Sequence, residues 1–88
     1  MNIALSELLN LHNIEIQLPS YLYDIRISSV FMEASLTCKD NSYEFTNDNA
    51  VLTITPDNSD ELIKIIHYSD YGVDTRIIYT KDQELRYN

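Results

Sequence analysis

The side chains able to do chemistry are few: two histidines, one cysteine and one glycine stand beside fourteen Asp and Glu in an 88-residue chain. His12 and His67 lie far apart, and neither has a nearby Cys or a partner four residues on, the spacing at which a helix presents two ligands to one metal. Both read as surface or edge histidines. Cys38 could be a nucleophile only if the fold brought a histidine to it. It falls on the apolar phase of its segment, which suits a buried structural thiol better. A lone Cys allows no internal disulfide and no Cys-based zinc site, a usage that fits the cytoplasm. A glycosidase-type carboxylate pair is always formally available among so many acids, so its mere possibility carries no information. One glycine excludes a phosphate-cradling loop. The expectation is a non-enzyme with no cofactor and no metal.

Charge says more. Six Lys plus Arg against fourteen Asp plus Glu give a net −8. That balance argues against direct nucleic-acid binding and against an electrostatic anchor on anionic membrane, both of which rest on Lys and Arg. The excess is uneven: residues 1–62 hold ten acids and two bases, and residues 63–88 four of each. The stretch 40–61 carries Asp40, Glu44, Asp48, Asp57, Asp60 and Glu61 with no base among them. Glu15, Asp24, Glu33 and Glu44 each fall on the polar phase of a different β-like segment. If those segments were neighbours in one sheet, their carboxylates would form a row at the strand spacing of about 4.8 Å. Such a row would imitate part of a nucleic-acid backbone. Seven tyrosines are the other unusual feature. Tyr23, Tyr43 and Tyr79 sit on apolar phases. Tyr21, Tyr68, Tyr71 and Tyr87 sit at turns or ends, where an exposed ring with a hydroxyl is a typical interface anchor.

The elements that must position these groups follow from periodicity. Leu5, Leu8, Leu9 and His12 predict a short helix over about 3–11, with Asn2 or Ser6 as cap and Asn13 as a left-handed terminator. Ile14-Glu15-Ile16-Gln17-Leu18 alternates as a half-buried strand. Odd positions are apolar from Tyr23 to Ile27 and even ones from Val30 to Cys38, so the strand must bulge, bend or break at Ser28-Ser29. Turns at 39–42 and 47–49 separate successive hairpin strands, the second of them Ala50 to Thr55. Residues 60–69 fit a helix behind Ser59 or an Ile-rich strand that turns back through Asp70-Tyr71-Gly72. The strand is preferred because β-branched isoleucines dominate and an alternating segment, Val73 to about Thr80, follows.

These elements predict a single α+β domain spanning 1–88, a short N-terminal helix packed on a bent antiparallel sheet of about five to six strands. No signal peptide or membrane span is expected. The general form, a tiny acidic domain without catalytic motifs, resembles phage-encoded anti-CRISPR and anti-restriction proteins as a class, in size and charge alone. That resemblance implies a non-enzymatic inhibitor in the bacterial cytoplasm, occupying the basic, nucleic-acid-binding surface of a partner such as a CRISPR effector. An immunity protein or antitoxin against a basic nuclease toxin would select the same acidity and tyrosines. A small-molecule binder would need a polar pocket, whereas the expected inner faces are almost purely apolar; a virion structural protein is the fourth option.

Overall fold

The computed structural model describes residues 1–87. It is an α+β fold in two layers. One layer is a six-stranded antiparallel meander: β3 (Ser35–Lys39), β4 (Ser42–Thr46), β5 (Ala50–Ile54), β6 (Ile63–Ser69), β7 (Gly72–Tyr79) and β8 (Glu84–Tyr87), adjacent in space in their chain order. The other layer is the N-terminal third, in which β1 (Asn2–Ala4) pairs with β2 (Arg26–Ser28) around helix α1 (Leu5–Leu11). Seven of the fifteen buried apolar residues come from this third, Ile3, Leu5, Leu8, Leu9, Leu22, Ile27 and Phe31. They cover the inner face of the sheet, where Phe45, Leu52, Ile54, Ile63 and Ile65 are buried. Among the described residues no helix is long and apolar enough to cross a membrane.

The expected strand at 60–69 is present as β6, and Gly72 supplies the positive φ of +116° at its hairpin turn. Asn13 ends α1 in the left-handed region at φ 56°, as its type suggests. Neither expected N-cap is used. The cap is Ala4, whose N–H donates to the Glu7 carboxylate at 3.4 Å, and Leu5 N–H donates to the Ile25 carbonyl at 3.0 Å.

Three expectations are corrected. Residues 14–18 do alternate in burial, but no strand lies beside them. The Tyr23 hydroxyl takes the partner's place, accepting from Leu18 N–H at 2.9 Å and donating to the Ile16 carbonyl at 2.7 Å. Alternation reports which way side chains face; it does not supply a ladder. Second, residues 20–24 form a 3-10 turn, where the odd-phase strand from Tyr23 was expected, and only Arg26–Ser28 extends as a strand. The chain then breaks at Ser28-Ser29 through a second 3-10 turn, Ser29–Glu33, with Val30 N–H on the Ser28 hydroxyl. Its roughly three-residue period turns Phe31 inward and leaves Val30 and Met32 exposed, so the even-phase pattern does not hold there. Third, Cys38 is exposed: it lies next to the β3–β4 turn on an edge strand, on the rim of an open groove that Ile16 of the N-terminal layer also lines.

The segment after β6 also differs. His67 opposes Thr75 but Tyr68 opposes Val73, so Asp74 is an extra residue bulged out of β7. The bulge flips the phase, and Val73 faces outward beside Tyr68 while Ile77 and Tyr79 face the core. Strand β8 lies beyond the last segment that periodicity marked.

Candidate functional site

Consecutive hairpins of a meander turn at alternate ends, so the sheet has two ends of different make-up. At one end lie the β3–β4 turn, the β5–β6 loop and the β7–β8 turn. At the other lie the β4–β5 and β6–β7 turns, with the 3-10 turn of residues 29–33 beside them. Strands of about five residues hold the two ends roughly 17 Å apart.

The second end is built by short-range hydrogen bonds. The Asn47 side-chain oxygen accepts from Asn49 N–H at 2.8 Å and from Ala50 N–H at 2.9 Å, which folds the β4–β5 turn and holds Asp48 at its tip. Tyr68 N–H donates to the Asn49 carbonyl at 2.8 Å, stitching this turn to β6. The Ser69 hydroxyl accepts from Tyr71 N–H at 3.2 Å, so the next turn projects Asp70 and Tyr71. Tyr71 is 99% exposed and Tyr68 43%, which leaves both side chains open to a partner. Between the β4–β5 turn and residues 28–35 runs an open groove of about 610 Å³, whose lining includes Glu33, Asp48, Asn49 and His67.

The segments that build this end carry acids and no Lys or Arg; the nearby Arg26 guanidinium is 2.8 Å from the carbonyl of Asn2, which pairs with Ser28. Segments 28–35, 46–50 and 67–74 contain Glu33, Asp48, Asp70 and Asp74 and neither Lys nor Arg, a local charge of −4 with His67 neutral. The first end has five acids, Asp40, Asp57, Asp60, Glu61 and Asp82, in segments 39–42, 55–62 and 80–83, but also Lys39 and Lys81, for 2 − 5 = −3. There Asp40 and Asp57 share the rim of a smaller groove of about 290 Å³. The Asn58 side chain accepts from Asp60 N–H at 3.2 Å, and Lys81 N–H ties to the Ser59 carbonyl at 3.0 Å.

The sequence-derived acids are therefore divided. Asp40, Asp57, Asp60 and Glu61 gather at the first end, and Asp48 joins Glu33 at the second. Glu44 stands on β4 with its carboxylate 3.4 Å from the Lys39 ammonium. The row of Glu15, Asp24, Glu33 and Glu44 does not form. Glu15 lies in the extended segment, Asp24 and Glu33 each close a 3-10 turn, and only Glu44 is on a strand of the sheet. Tyr21 is also differently employed: its hydroxyl donates to the Thr80 carbonyl and fastens the N-terminal layer to the β7–β8 turn. Burial raises its pKa, with Asp82 and Glu84 adding to the effect. Tyr79 is buried, and desolvation, reinforced by the Glu84 carboxylate, pushes its pKa up to about 12.

Asp70 and Asp74 were missed because residues 63–88 sum to zero charge. Three of the four cations that cancel them sit on strand positions outside the turn. Lys64 and Arg76 point to the outer face of the sheet, Arg76 over the Tyr87 ring at 5.2 Å, and Arg86 is paired with Glu84 at 3.0 Å. The turn chemistry of Asp70-Tyr71-Gly72 was the available signal. No protein-family model matches the chain, and no curated protein or solved structure matches it either.

Proposed function

We propose that this protein is a non-enzymatic inhibitor whose acidic, tyrosine-bearing end of the sheet docks on the basic, nucleic-acid-binding surface of a larger protein, in the manner of anti-CRISPR or anti-restriction proteins. The observation that carries this reading is the base-free end itself: four carboxylates with no Lys or Arg in their segments, beside the exposed Tyr68 and Tyr71 rings. Carboxylates there offer forks to arginine guanidinium groups, and the rings offer apolar area and cation–π contact. With four charges the surface competes for part of a phosphate track, which suffices to displace nucleic acid from a groove that needs all of it. The setting is the cytoplasm of a bacterial host.

A basic nuclease toxin would be met by the same surface, which makes an immunity protein or antitoxin the alternative within the same physics. The deciding experiment adds the purified protein to a panel of CRISPR effectors, restriction enzymes and nuclease toxins and measures their binding and cleavage of nucleic acid. The expected result is stoichiometric inhibition of one class, through a complex that weakens steeply as salt rises. Binding to none of them, or binding that salt leaves unchanged, overturns the reading.

A further inference from the structure

Edge strand β8 has a sequence that is complementary to itself. We infer that β8 pairs antiparallel with β8 of a second copy of this chain, joining two meanders into one continuous twelve-stranded sheet about a two-fold axis at Leu85.

The ladder phase sets the geometry. Thr80 N–H donates to the Gln83 carbonyl at 2.8 Å, closing the β7–β8 hairpin as a hydrogen-bonded pair. Backbone groups of an antiparallel strand alternate in direction. Those of Gln83, Leu85 and Tyr87 therefore face β7, and those of Glu84 and Arg86 face away from the sheet. Among the described residues no loop backbone hydrogen-bonds to Glu84 or Arg86. A two-fold axis through Leu85 sets Glu84 opposite Arg86 of the second copy and Arg86 opposite its Glu84. Both outward N–H and C=O groups on each chain are then satisfied, and Leu85 meets its own copy as a non-hydrogen-bonded pair with Cα atoms about 4.5 Å apart.

Both faces support the same axis. Glu84 and Arg86 point to one face and already bond each other along the strand at 3.0 and 3.3 Å. Pairing extends them into a four-charge cluster of alternating sign, whereas like charges directly opposite would repel. On the other face Leu85 opposes Ile78 of β7, so pairing makes an unbroken apolar strip of Ile78, Leu85 and their two copies. The opposite edge, β3, has no such pattern: its only charge is Lys39, which is held by Glu44.

Analytical ultracentrifugation over a concentration series tests this on the intact chain. The expected result is a 10.3 kDa species giving way to one of twice that mass. Glu84→Arg and Arg86→Glu each place like charges across the axis and should each abolish the larger species. An equimolar mixture of the two variants sets the arginines of one chain against the glutamates of the other and should restore it as a heterodimer. Recovery on mixing also shows that neither variant has failed to fold. A wild-type chain that stays at 10.3 kDa at every concentration, single variants that dimerise as well as the wild type, or a mixture that stays monomeric overturns the inference.

Discussion

Tyrosine does opposite work at the two ends of the sheet. At the lysine-bearing end, Tyr21 is tied by its hydroxyl to the Thr80 carbonyl, and Tyr79 is buried with its pKa raised to about 12. At the base-free end, Tyr71 is 99% exposed and Tyr68 stands on the outer face beside the bulge. The difference teaches that neither ring count nor acid count identifies a docking surface. What separates the ends is whether the groups are already engaged within the fold.

The most damaging change to this contrast is at the carboxylates. Asp48→Lys together with Asp70→Lys takes the base-free end from −4 to 0. The expected loss of partner affinity is at least about 100-fold, near 2.7 kcal/mol by calorimetry. Asp40→Lys with Asp57→Lys at the other end should cost less than about tenfold. Equal losses from both pairs would mean that only net charge matters. Next in size is Tyr71→Ala, expected to weaken binding about tenfold, near 1.4 kcal/mol, while leaving the melting temperature unchanged.

Tyr21→Phe should invert that result, lowering stability in urea melts by about 1 kcal/mol and leaving affinity alone. A Tyr71→Phe control should leave stability unchanged. The smallest effect at neutral pH belongs to Tyr79. Its folded pKa of about 12 exceeds the ordinary 10.0, so the neutral phenol favours the fold. That contribution is complete below pH 10 and is lost as pH rises through 12. Urea midpoints measured between about pH 9 and pH 11.5 should fall less for Tyr79→Phe than for the wild type. Equal slopes would show that another group controls the alkaline limit.

The sequence made the sheet legible where both signals agreed. In β5 and the first half of β6 alternating burial, and in β4 the apolar alternation of Tyr43 and Phe45, coincided with turn residues at the strand ends, and these hairpins stand as expected. Within residues 14–33 only the break at Ser28-Ser29 was legible; the rest was not, because its pairing is decided by tertiary contacts. There a hydroxyl from Tyr23 replaces a strand partner, and a serine-initiated 3-10 turn inverts the phase of Phe31. The candidate site was half legible for a related reason. Asp48 could be read from its base-free stretch, whereas Asp70 and Asp74 were hidden by cations near in sequence that lie on strand positions outside the turn, Arg76 over Tyr87 and Arg86 held by Glu84.

The meander has a kinetic consequence. Every neighbour in the six-stranded sheet is also the next strand in the chain, so each hairpin closes a short loop at small entropic cost. The β1–β2 ribbon, by contrast, joins Asn2 to Ser28 and lies outside that sheet. Folding is thus expected to start with the hairpins and finish when Leu5, Leu8, Leu22 and Phe31 dock as a lid on their inner face. Native-state hydrogen exchange should find the amides of β5 and β6 the slowest to open and those of residues 14–18 the fastest.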